Sequence, residues 1–68
     1  MLGGVKVKIK EYRVMKGYTQ VEIANLLGIK QNTYSQYENE KRQLPIDVLI
    51  KLAKFYKVTT DYILGLED

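Results

Sequence analysis

The chain has 68 residues, 46% of them hydrophobic, enough for one small domain with a core and too apolar for a disordered tail. It holds neither Cys nor His, so disulfides, Cys/His zinc sites, thiol catalysis and histidine acid–base chemistry are excluded together. Eleven basic residues against eight acidic ones give a net charge of +3, which suggests an anionic partner without naming it.

The charge is unevenly placed: residues 1–18 carry +4, residues 19–39 carry −1, and residues 40–68 sum to zero. No apolar run approaches the roughly 18 residues of a membrane span, and no signal-peptide pattern appears. Together with the lack of cysteine this points to a cytoplasmic protein with no membrane partner.

Along the chain, Val5, Val7 and Ile9 alternate with lysines in a strand-like way, whereas Ile9, Tyr12 and Met15 have helical spacing. The reading adopted is a helix over 6–16, stopped by Gly17. Thr19-Gln20-Val21-Glu22 is a capping box, with Tyr18 and Ile23 at the staple positions. It opens a helix over 20–27 that buries Ile23, Ala24 and Leu27 and ends at Gly28. A helix over 31–39 follows at once. Two short helices joined so tightly cannot lie antiparallel and must cross steeply, as in a helix-turn-helix. Pro45 opens a helix over 46–56 with Ile46, Leu49, Ile50, Leu52, Ala53 and Tyr56 on its apolar face. Thr59 caps a last helix over 60–64, closed by Gly65. The expected fold is all-α, a compact five-helix domain covering 1–68.

On a wheel of about 100° per residue, Tyr34, Tyr37 and Glu38 fall on one side of helix 31–39, with Thr33 at the margin. Gln31, Asn32, Ser35, Gln36 and Asn39 share an arc of roughly 140° on the other. An ordinary solvated face is the competing explanation. Helix 46–56 serves as a control, because its wet face uses Asp47, Lys51 and Lys54 rather than amides. Asn and Gln pair bidentately with adenine in the major groove, so Gln31, Asn32 and Gln36 are the candidate base readers, with Ser35 as an auxiliary.

Counted from Gln20, the fifth residue is small (Ala24) and the ninth is Gly28. The fourth, eighth, tenth, fifteenth and eighteenth are Ile23, Leu27, Ile29, Tyr34 and Tyr37. With Arg13, Gly17-Tyr18-Thr19-Gln20, Tyr37-Glu38-Asn39 and Asp61-Tyr62-Ile63-Leu64-Gly65, residues 9–65 resemble the helix-turn-helix proteins of phage repressors and Cro, the Xre family. The resemblance implies a repressor-like domain with the helix-turn-helix at its second and third helices. It implies phosphate contacts from Gln20 and Asn39, and a partly buried ion pair between Arg13 and Glu38. Lys30, Lys41 and Arg42 flank the reading helix and are further phosphate candidates by position. Two places depart from the family: Lys30 stands where Ser or Thr usually caps the helix, and Glu40 replaces a common Gly.

The function expected is a sequence-specific, double-stranded DNA-binding transcriptional regulator, a repressor acting as a homodimer. Because the sequence stops just after the fifth helix, no separate sensing or dimerisation domain is expected. Any dimer would use the small domain itself, near the last helix, or form on DNA alone. The rival is a protein-interaction module such as an antitoxin or adaptor, for which Val48 and Phe55 offer either a packing edge or an interaction stripe. An enzyme is poorly supported, since no paired carboxylates or phosphate loop stand out, and no cofactor, metal or small-molecule ligand is expected. Tyr12, Tyr34, Tyr37 and Tyr56 fall on predicted buried faces, so core packing is preferred for them over stacking on single-stranded bases.

Overall fold

The computed structural model describes residues 8–66. Among them are five helices and no strand: α1 (Ile9–Lys16), α2 (Gln20–Leu27), α3 (Gln31–Glu38), α4 (Ile46–Tyr56) and α5 (Thr60–Ile63). No helix among the described residues is long and apolar enough to cross a membrane. The part of the first predicted helix at 6–7, and the first half of the strand-like signal over 5–10, lie outside the described residues, while Ile9 and Lys10 are helical. Lys8, predicted helical, is not. Its amide donates to the Ile63 carbonyl at 2.9 Å, which ties the entry of α1 to the last turn of the fold.

Local chemistry sets the helix starts. The Thr19 hydroxyl accepts from the Glu22 amide at 3.1 Å and the Glu22 carboxylate accepts from the Thr19 amide at 2.8 Å, completing the capping box. The Thr59 hydroxyl likewise accepts from the Tyr62 amide at 3.0 Å. Pro45 precedes α4 in extended conformation, which its fixed φ favours.

All five helices close with the same pair of backbone bonds, the Schellman arrangement around one left-handed residue. After α1, α2 and α5 that residue is Gly17, Gly28 or Gly65. After α3 it is Glu40, with φ 58°, and after α4 it is Lys57, with φ 60°. Glu40 thus takes the backbone shape that the family's common Gly would give, and Lys57 does so at a place where no glycine signalled it.

Each helix contributes to one core: Ile9 and Tyr12, then Ile23, Ala24 and Leu27, then Tyr34 and Tyr37, then five residues of α4, and Ile63. The predicted apolar face of α4 needs correction. Val48 is buried and Phe55 packs against the core, whereas Ile46 and Ile50 are 71% and 42% exposed. The buried face is turned by about 50° from the predicted one. The cause is a chain of rings: Tyr62 lies edge-on to Tyr12, Tyr12 stacks on Tyr56, and Phe55 contacts both Tyr56 and Tyr18, with centroids 5.2–5.6 Å apart. Ring pairs of this kind contribute about 0.5–1.5 kcal/mol each beyond their area, enough to draw the Phe55 edge inward. Of the two readings of Val48 and Phe55, the packing edge is the one these contacts support. Tyr18, placed by the sequence at a staple position, has its ring against Phe55.

Candidate nucleic-acid interface

Gly28, Ile29 and Lys30 alone join α2 to α3, and these two helices are the most closely packed pair in the fold. Gly28 sits at φ 72° with open space where a Cβ would be, so its role is backbone conformation rather than clearance. Ala24 is buried to 1% exposure, where a longer side chain would push the helices apart.

Tyr34 and Tyr37 anchor α3 in the core and so determine which side it presents to solvent. Gln31, Asn32 and Asn39 are exposed, and Ser35 and Gln36 are half-buried. The Asn39 side chain donates to the Ser35 hydroxyl at 3.3 Å. Lys30, Lys41 and Arg42 are exposed, but at opposite ends of α3: an eight-residue helix is about 12 Å long, so these cations bracket the amide row. Lys30 has extended backbone and makes no side-chain cap, in contrast to Thr19 ahead of α2.

The ion pair that supports α3 is bidentate. Arg13 Nε donates to Glu38 Oε2 at 2.6 Å and its Nη2 to Oε1 at 3.2 Å, while Nη1 donates to the Tyr18 carbonyl at 2.9 Å. The Glu38 side chain is 1% exposed and that of Arg13 12%. Burial alone would push the Glu38 carboxyl up, but hydrogen bonds, that of Arg13 foremost, outweigh it and hold the group below its ordinary 4.5. The same contact raises Arg13 further. Tyr34 lies beneath the pair, and burial first, then the neighbouring carboxylate, push its hydroxyl far above the ordinary range. That hydroxyl has no hydrogen bond of normal geometry.

Two contacts connect this pair to the outer face. Gln20 Nε2 donates to Glu38 Oε1 at 3.0 Å, and Gln31 Nε2 donates to Gln20 Oε1 at 3.3 Å. Gln20 is half-buried and one of its two N–H groups is committed to Glu38. The structure thus brings Arg13, Glu38, Gln20 and Gln31 into one network, and leaves Asn32, Gln36, Lys41 and Arg42 outside it. Sequence reasoning did not find this linkage. The signal available was that a Gln opens both helices of the pair, with an Arg and a Glu expected to meet behind them.

A helix-turn-helix family model matches residues 9–63 of this chain. The chain is 44% identical over 61 residues to the HTH-type transcriptional regulator ImmR of Bacillus subtilis, covering 90% of this chain and 48% of that protein. It is 41% identical over 51 residues to the cryptic phage CTXphi transcriptional repressor RstR of Vibrio cholerae, covering 75% of this chain and 46% of that one. The chain therefore spans about half the length of these two relatives. A crystal structure of a transcriptional regulator from Listeria innocua superimposes with a TM-score of 0.83 at 23% identity, over 90% of this chain and 57% of that one, a likeness of fold.

Proposed function

The chain belongs to the helix-turn-helix family, and from that premise we propose that it is a sequence-specific, double-stranded DNA-binding transcriptional regulator that acts by repression. The observation that carries the reading is the row of uncharged amides and hydroxyls on α3, kept outward by the buried Tyr34 and Tyr37. Such a row suits base edges, since amides pair bidentately with adenine N6 and N7. Gln31, Asn32 and Gln36 read bases in this proposal, assisted by Ser35. Gln20, Lys30, Asn39, Lys41 and Arg42 hold phosphates, and their placement around the row supports that division between positioning and reading. Repression is favoured by the likeness to a protein named as a transcriptional repressor.

The protein works in the cytoplasm as a DNA binder and not as an enzyme, with two copies placing their α3 helices in successive major grooves about 34–36 Å apart. A body of 33 × 25 × 21 Å is of the right size for two neighbours to meet that spacing. Selection of bound duplexes from a random DNA pool tests the proposal. Wild type is expected to enrich a two-part site, and the triple alanine variant at Gln31, Asn32 and Gln36 to lose that preference. The same DNA selected by both would overturn the assignment.

A further inference from the structure

Gln20 opens α2 and Gln31 opens α3, and the direction of the hydrogen bond between them can be traced back to Glu38. An ionised carboxylate only accepts hydrogen bonds. With Arg13 holding Glu38 in that state, Gln20 must turn its NH2 group inward, where Nε2 lies 3.0 Å from Oε1. Its carbonyl then faces outward and can only accept, so Gln31 must supply the N–H that bridges 3.3 Å. Gln31, itself exposed, is left with its carbonyl oxygen and one remaining N–H. One acceptor beside one donor matches adenine N6 and N7; a reversed Gln31 would offer two N–H groups, the pattern suited to guanine O6 and N7.

We infer that Glu38 is a positioning residue for sequence recognition, setting through Gln20 which way round the Gln31 amide faces DNA and hence which base Gln31 prefers. This rests on the DNA-reading function proposed above, and adds to it a side chain too buried to touch a base. In Glu38→Gln the carbonyl keeps the shorter bond from Arg13 Nε (2.6 Å), and the NH2 takes the place of Oε1, gives up the 3.2 Å bond from Arg13 Nη2 and donates to Gln20. Gln20 then reverses, and Gln31 after it.

The test is duplex selection from a random pool by full-length protein. Wild type against Gln31→Ala identifies the base position that Gln31 reads. Glu38→Gln is expected to change the preference there from adenine to guanine, by about tenfold in relative affinity, with the other positions unaltered. Gln20→Met breaks the relay and leaves the Arg13–Glu38 pair in place. It is expected to flatten the preference at that same position, on top of a uniform affinity loss from its own missing phosphate contact. A merely structural Glu38 would lower affinity for all sequences by one common factor. Unchanged preference in Gln20→Met, or in a folded Glu38→Gln, overturns the inference while leaving DNA reading intact. A Gln31→Ala variant that alters no position does the same. A wild type that enriches no sequence overturns the function itself, and this inference with it.

Discussion

The Glu38 side chain is almost completely enclosed, yet it carries a charge, and Arg13 is the reason it can. Removing one partner of such a pair strands the other, at a cost of about 3–5 kcal/mol. Arg13→Met is therefore expected to lower the urea unfolding midpoint severely, and Arg13→Met combined with Glu38→Leu to recover much of the loss. The pH dependence follows from the direction of the shift. Because the folded-state value of Glu38 is depressed, its contribution is complete above the ordinary 4.5 and is lost as pH falls through the lower folded value. Urea titrations below about pH 4.5 are expected to show this acid limb in wild type and a flatter one in Glu38→Gln. Outside the network, Asn32→Ala is expected to relax preference at one base, costing on the order of 1–3 kcal/mol for a lost bidentate contact, measured as relative affinity for matched and mismatched duplexes.

Helix ends and helix faces were legible to different degrees. The start of α2 at Thr19 and its stop at Gly28 could be read because capping and left-handed backbone are settled within a few residues. The buried side of α4 could not, because it answers to rings on α1 and in the turn before α2, which no spacing within α4 reveals. The Gln20–Gln31 contact escaped for the same reason: two surface amides 11 residues apart gain meaning from a buried carboxylate on another turn of α3. Lys57 was illegible because a lysine does not signal left-handed backbone. That strain yields a prediction. Lys57→Gly is expected to stabilise the fold by roughly 0.5–1 kcal/mol, the relief of a left-handed Cβ offset by the greater freedom of glycine when unfolded. Gly28→Ala, at φ 72° in otherwise open space, is expected to destabilise by about 1–2 kcal/mol. Thermal melts of the two variants, moving in opposite directions, check both.

For the molecule as a whole, net charge proved a poor guide to the candidate site. The surplus of positive charge lies in residues 1–18, while the stretch that holds the amide row is slightly acidic. Lys41→Ala is expected to weaken binding to all duplexes alike and to reduce the salt slope of log K by about 0.9 in magnitude, without altering the preferred sequence. Binding isotherms at several salt concentrations distinguish it from Asn32→Ala, which is expected to alter preference and leave the slope alone.

The chain of five rings also gives the molecule an optical signature. With no tryptophan present, its near-ultraviolet absorption and emission belong to six tyrosines and one phenylalanine. Four of those tyrosines and the phenylalanine are coupled in a single run across α1, the turn before α2, α4 and α5, while Tyr34 and Tyr37 stand apart on α3. Near-ultraviolet circular dichroism will therefore report chiefly on whether the outer helices are docked. Loss of that signal while helical dichroism persists would reveal loosening of the scaffold, with no dye or label attached.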